Sequence, residues 1–198
     1  MRRIAEAHKR AAAERETRTR ITAAEFVTLD GVVEDPNEWV ANDDQLQAAI
    51  GAQMTTTDAI LLGRVTYEGF ASHWPAQKGA IADYMNNTPK YVVSTTLDSV
   101  EWQNSTLIKE NIAEEIRALK EGPAKRISVT GSASLAVSLL QEGLLDELEL
   151  FVHPLIRARG RRLFDAADAA AQLELVESAQ FSTGVVALKY RPVNHSSG

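Results

Sequence analysis

The stretch from Ala59 to Phe70, AILLGRVTYEGF, constrains what this chain can fold into more than any other part of it. Ala59-Ile60-Leu61-Leu62 is wholly apolar with no polar alternation, the pattern of a strand buried on both faces. Gly63 ends the run, and Arg64-Val65-Thr66 opens a segment whose Tyr67 and Phe70 fall at helical spacing. A strand, a tight glycine turn and a helix start therefore follow one another within twelve residues. One guanidinium and one hydroxyl stand at the turn. Helix N-termini attract anions and arginine grips phosphate through its planar fork, so the turn is a candidate phosphate site. The alternative is a buried strand followed by a surface arginine.

The remaining elements repeat this alternation. Ile21 to Thr28 reads as the first strand, and Asp30-Gly31 then turns into an acidic loop where Pro36 and Asn37 block regular structure. Asn42 is the expected N-cap of a helix over 43–54, with Gln45 as capping-box partner and Leu46, Ile50 and Met54 on its buried face. The Arg64 helix ends near Trp74-Pro75, and Lys78 to Asn87 forms a short helix. Tyr91-Val92-Val93 reads as a second fully buried strand, leading into Ser94-Thr95-Thr96. Thr106 to Lys109 is a weaker strand, and Asn111 is placed to cap a helix carrying Ile112, Ile116 and Leu119 that Gly122-Pro123 stops. Ile127 to Thr130 ends at Gly131, where Ser132 can cap the next helix. Glu147-Leu148-Glu149-Leu150 alternates as a half-buried strand, and Leu173–Phe181 and Val185–Tyr190 form a hairpin through Ser182-Thr183-Gly184. Strands alternating with helices and closed by a hairpin predict an α/β three-layer fold. Its sheet is mostly parallel with an antiparallel C-terminal hairpin, and helices cover both faces.

Gly63-Arg64-x-Thr66 after an apolar strand resembles the cofactor turn of the dihydrofolate reductase superfamily. Four further stretches arrive in the order of that superfamily: FVTLDGVVEDPNEW (26–39), KYVVSTTL (90–97), ISVTGSASL (127–135) and DELELFVHPLI (146–156). The chain most resembles the small bacterial proteins similar to the reductase domain of riboflavin biosynthesis, from about Ile21 to Tyr190. The resemblance implies a dihydrofolate reductase-like fold and an NADPH-dependent reductase acting on a small heterocyclic or conjugated substrate, riboflavin-precursor or pterin-like. It implies NADPH binding by Gly63, Arg64 and Thr66, by Ser94, Thr95 and Thr96, and by Gly131, Ser132, Ala133, Ser134 and Leu135. True folate enzymes carry paired glycines where this chain has Gly131-Ser132. The loop beside the nicotinamide makes Asp30 the first candidate for catalysis and for substrate orientation, with Trp39 and Tyr67 as candidate substrate walls. Relatives often form homodimers, so one is expected here.

Each site has a plainer reading. Asp30 is also a turn-former before glycine, Ser132 a helix cap, and each aromatic a core residue. Asp43 and Asp44 near a helix start are a second acidic candidate, and Trp74 a further wall. His153-Pro154 resembles a family feature, whereas Arg157-Ala158-Arg159-Gly160-Arg161-Arg162 replaces a usually glycine-rich loop with four arginines, suiting an anionic ligand or simply balancing an acidic body. GxGxxG and GxxxxGK[ST] are both missing, which argues against an ordinary Rossmann fingerprint and a P-loop.

Composition limits the partners. A chain of 198 residues reads as one domain, over 21–192, flanked by a basic arm (1–20) and a short tail (193–198). The arm carries seven basic and three acidic side chains, leaving a body of −10 that disfavours nucleic acid. No cysteine is present, and the four histidines never pair at metal-ligand spacing, so no metal is expected. No apolar run approaches a membrane span and the N-terminus lacks an apolar signal core, making the cytoplasm the expected compartment. Two other readings compete with a reductase: a module that binds NADPH without turnover, and a scaffold acting through the basic arm.

Overall fold

The computed structural model describes residues 18–40, 43–165 and 170–193. Most of the basic arm, Asn42 and the tail beyond Val193 lie outside these residues. Eight strands form one sheet: β1 (Arg20–Thr28), β2 (Ala59–Gly63), β3 (Lys90–Val93), β4 (Ser105–Ile108), β5 (Arg126–Thr130), β6 (Glu147–His153), β7 (Leu173–Gln180) and β8 (Val186–Pro192). Their spatial order is β4-β3-β2-β5-β1-β6-β8-β7. The first six run parallel, and β8 and β7 close the sheet antiparallel, as expected from the hairpin pattern.

Among the described residues five α-helices complete the layers: α1 (Asp44–Thr55), α2 (Arg64–His73), α3 (Ala80–Asn87), α4 (Ile112–Lys120) and α5 (Ala133–Gln141). Alternation along the strands assigns each helix to a face. Ile21, Ala23, Leu61, Ile127, Val129 and Leu148 pack against Ile116 of α4 and Ala136, Leu139 and Leu140 of α5. On the opposite face Ile60, Leu62 and Val92 pack against Tyr67 of α2 and Met85 of α3, while Phe151 and Ala187 pack against Leu46 of α1. Ile60, Leu61 and Leu62 are wholly buried, which a strand between two helical layers requires. Among the described residues no helix is long and apolar enough to cross a membrane.

Three local expectations need correction. The α1 cap is Asp43, whose carboxylate accepts from Gln45 N at 2.8 Å, so the helix begins one residue later than the Asn42 reading placed it. Asn111 and Ser132 precede α4 and α5 but neither caps its helix through its side chain; Asn111 instead takes the left-handed conformation, φ 48°. β3 is buried on alternate residues only, because it lies one strand from the sheet edge and Tyr91 and Val93 are incompletely covered.

Candidate active site

The parallel strands deliver their C-terminal turns to one edge of the sheet, where ligands of such sheets bind. The order β3-β2-β5-β1-β6 fixes the sequence of turns along that edge. Ser94–Thr96 comes first, then Gly63–Thr66, then Gly131–Ser134, then Thr28–Gly31, and last the segment after His153.

The middle two turns are joined by hydrogen bonds. Gly63 N donates to Ser132 Oγ at 2.8 Å, Ser132 Oγ donates to Thr66 Oγ1 at 3.0 Å, and Thr66 Oγ1 donates to the Gly131 carbonyl at 2.7 Å. Gly131 has φ +60°, and a Cβ there would lie 3.2 Å from Thr66 Cγ2, so the close approach requires glycine. These bonds explain why Ser132 does not cap α5: its hydroxyl is committed across to β2. Both α2 and α5 therefore begin without a side-chain cap, and neither has an acidic residue in its first turn. Two positive helix ends meet in one place.

Arginines flank them. Arg64, half exposed, pairs with Glu68 one turn on at 2.9 Å, an ion pair weak enough to yield to a ligand. From the far side Arg161 Nη1 donates to Ser134 Oγ at 2.8 Å, over the first turn of α5. Ser94 is buried and its hydroxyl accepts from Thr96 N and Leu97 N, holding a turn that leaves Thr95 and Thr96 exposed.

At the other end of the row Asp30 organises the arginine loop. Its carboxylate accepts from Thr28 Oγ1 (2.7 Å), Ala158 N (2.9 Å) and Arg157 N (3.2 Å), and Arg162 Nη2 lies 3.9 Å away. The Thr28 hydroxyl foremost, then the two backbone donors, hold its pKa down to about 2 against a smaller opposing effect of desolvation. Asp30, the candidate for catalysis and substrate orientation, is here a fixed carboxylate that ties the β1 turn to the loop. Trp39 is half buried, its ring edge-on to His153 at 5.2 Å and its Nε1 donating to the Glu34 carbonyl. Arg157 reaches across to Glu38 at 2.9 Å.

Tyr67 needs correction. It is buried in the α2–α3 core, and its hydroxyl accepts from Glu101 N and Trp102 N at 2.9 and 3.1 Å, so it cannot wall a substrate pocket. Trp74 likewise packs with that core. Asp43, besides capping α1, accepts from Thr183 Oγ1 at 2.9 Å and so ties α1 to the terminal hairpin. Two buried groups remain, of which only His153 stood out in the sequence. His153 is wholly buried, with Nδ1 3.0 Å from the Phe151 carbonyl and Nε2 without a partner among the described residues; burial draws its pKa down. Glu25, a buried carboxylate, is the one charged residue between Ile21 and Thr28 of β1.

The sequence matches the RibD C-terminal domain over residues 19–187. This chain belongs to that family. It is 31% identical over 172 residues to the uncharacterized protein YyaP of Bacillus subtilis (strain 168), covering 83% of this chain and 90% of YyaP. Its fold is shared with a candidate riboflavin biosynthesis protein of Shewanella sp. PV-4 (TM-score 0.72, 19% identity, 89% of this chain and 100% of that one). It is also shared with dihydrofolate reductase from Enterococcus faecalis, solved with NADP(H) and RAB-propyl (TM-score 0.58, 15% identity, 89% and 99%). Membership of this family points to an oxidoreductase of the riboflavin-pathway type.

The residues present suit a dinucleotide phosphate. Two uncapped, acid-free helix starts, a glycine that admits close backbone approach and an arginine on each side form a donor set with no competing carboxylate in either first turn.

Proposed function

We propose that this RibD C-terminal domain protein is an NADPH-dependent reductase that transfers a hydride to a small conjugated heterocycle, riboflavin-precursor or pterin-like. The observation that carries the reading is the junction of the α2 and α5 starts through Gly63, Ser132, Thr66 and Gly131. In this reading the first-turn N–H groups of both helices, including those of Ala133, Ser134 and Leu135, hold the cofactor diphosphate. Arg64 takes the 2′-phosphate, and Ser94, Thr95 and Thr96 border the adenosine end. Thr66 and Ser132 position the cradle, since their hydroxyl protons are already given to protein acceptors. Bound NADPH supplies the hydride. Asp30 keeps the arginine loop in place at the substrate end, and Trp39 offers that end an aromatic wall. A homodimer and a cytoplasmic location belong to the same proposal, and light scattering on the purified protein checks the former.

Isothermal titration is the test, with one NADPH per chain as the expected result. No heat and no thermal shift at millimolar cofactor overturns the reading. The alternative of a module without turnover draws on one observation: Asp30 stays ionised and His153 is held neutral, so neither offers a ready proton at the substrate end. NADPH oxidation with a panel of pyrimidines, pterins and flavin precursors separates the two. Weak or no activity with dihydrofolate is expected, and kcat/KM above ~10⁴ M⁻¹s⁻¹ would contradict it.

A further inference from the structure

We propose that His153 is a specificity-determining residue for the substrate, its buried Nε2 accepting a hydrogen bond from an N–H group on the edge of the substrate ring. The inference rests on the reductase reading for the place of the substrate, and it adds the kind of ring edge that the site selects.

His153 is the last residue of β6 and the register partner of Thr28, whose hydroxyl is bonded to Asp30. It therefore ends at the same edge of the sheet as the β1 turn. Alternate residues of a strand share a face, so His153 lies on the side of Phe151, which packs with Leu46 of α1. Its ring meets two aromatic rings edge-on, Phe26 at 5.7 Å and Trp39 at 5.2 Å, and only 1% of the residue is exposed.

The hydrogen bond on one side of the ring decides what the other side offers. Nδ1 lies 3.0 Å from the Phe151 carbonyl, and a carbonyl can only accept, so Nδ1 carries the proton. An imidazole out of water between two aromatic rings stays neutral and has one N–H, which leaves Nε2 a bare acceptor. No donor reaches it among the described residues. The Val27 carbonyl also acts on the ring, but it too is an acceptor and forms no hydrogen bond with Nε2. A buried acceptor left open costs stability that an apolar residue would not cost, and a ligand donor completes it.

The way to Nε2 passes Trp39. Phe26 is fixed within β1, whereas Trp39 is half exposed, and among the described residues its hydrogen bonds go to Glu34 and Pro36 of its own loop. A planar ring that displaces the indole edge meets Nε2 with its own edge and the indole with its face. A bare acceptor is selective. It pairs with a lactam or amine N–H, opposes a carbonyl oxygen or a ring lone pair, and is left open by an N-alkyl group. The substrate class is thereby a heterocycle that presents a lactam or amine N–H on the edge entering this end of the site.

The experiment titrates lumazine, a pteridinedione with lactam N–H groups, and its N,N′-dimethyl form into the full chain, with and without NADPH. The proteins are the parent, His153→Leu and His153→Gln. The parent is expected to prefer lumazine. His153→Leu should bind lumazine roughly 3- to 10-fold more weakly, the worth of one neutral hydrogen bond, while its affinities for the dimethyl form and for NADPH stay unchanged. Gln offers a carbonyl oxygen in place of Nε2, so His153→Gln should recover much of the preference, which a residue serving packing alone would not do. Nitrogen NMR of the parent should show the proton on Nδ1, and the Nε2 signal should move with lumazine and not with the dimethyl form. If His153→Leu keeps the preference, weakens both probes equally or loses NADPH affinity, the inference is overturned. A proton found on Nε2, or a parent that binds neither probe, overturns it as well. NADPH bound without a preference that depends on His153 would leave the reductase reading standing and remove this one. A preference that depends on His153, with no NADPH bound, would do the reverse.

Discussion

Arg64 and Tyr67 stand three residues apart and show how one turn of helix divides binding from packing. Arg64 is exposed and held only by Glu68, so replacing it should cost the fold little. A charge-assisted contact to the 2′-phosphate is worth roughly 1.5–3 kcal/mol. Arg64→Ala should then weaken NADPH about 10- to 150-fold, at ~1.4 kcal/mol per decade, and NADH far less. Paired titrations with the two cofactors read this directly. Equal losses would move Arg64 to the shared diphosphate, and no loss would leave it a surface residue. Tyr67 is the opposite case. Tyr67→Phe strips the acceptor from the N–H groups of Glu101 and buried Trp102 and should destabilise by about 1–3 kcal/mol. Thermal melting should fall by roughly 2–4 °C per kcal/mol in a chain of this size. NADPH affinity should stay within error; a change in affinity without a change in melting would restore Tyr67 to the site.

At the scale of elements, the sequence carries most where a single physical demand acts. A strand between two layers must be apolar throughout, so β2 is legible to the residue, and the glycine and arginine after it mark where α2 starts. Caps were harder because partners far along the chain decide them. Ser132 looks like the cap of α5, but Gly63 N, sixty-nine residues earlier, takes its hydroxyl, and no local pattern reports a partner so distant. Asp43 caps α1 and also accepts from the Ser182 and Thr183 hydroxyls, a second role that the local sequence around α1 does not report. Tyr67 was misplaced for the same reason, since helical spacing cannot tell a core face from a pocket wall. Glu25 did not stand out, and the helix that buries it lies more than a hundred residues on. The dual role of Asp43 yields a prediction. Asp43→Ala removes a helix cap together with the tie to the hairpin and should lower the melting temperature by at least about 2–4 °C. Amide exchange should quicken in both α1 and the β7–β8 turn, whereas loss confined to α1 would mean that the hairpin contact contributes nothing.

The whole molecule balances carboxylates of two kinds, and pH separates them. Asp30 and Asp43 are held below their ordinary range. In Asp30 this comes chiefly from Thr28; in Asp43 burial opposes it, and bonds from Thr183 and the backbone of Gln45 and Leu46 prevail. A depressed carboxyl stabilises the fold above its unfolded pKa, and that contribution is lost as pH falls through the folded value. Asp30 thus weakens the protein on acidification from about pH 4 toward about pH 2. Glu25 and Glu149 are raised, both foremost by burial. A raised carboxyl has the opposite sign: the unfolded chain releases its proton first, so stability is full below about pH 4.5 and declines until Glu25 ionises near pH 8 in the fold. The two groups together predict a dome of melting temperature against pH, highest near about pH 4 to 4.5, where Asp30 is still ionised and Glu25 has not begun to cost stability. Glu25→Gln should leave the acid limb untouched, flatten the other, and raise the melting temperature near pH 8 by roughly 5–10 °C, because the variant no longer spends stability on withholding a proton from solvent. Calorimetry of parent and variant without ligand, at matched ionic strength, measures this apart from any binding. A variant that melts lower than the parent at every pH would show that the Glu25 proton makes a bond the fold depends on.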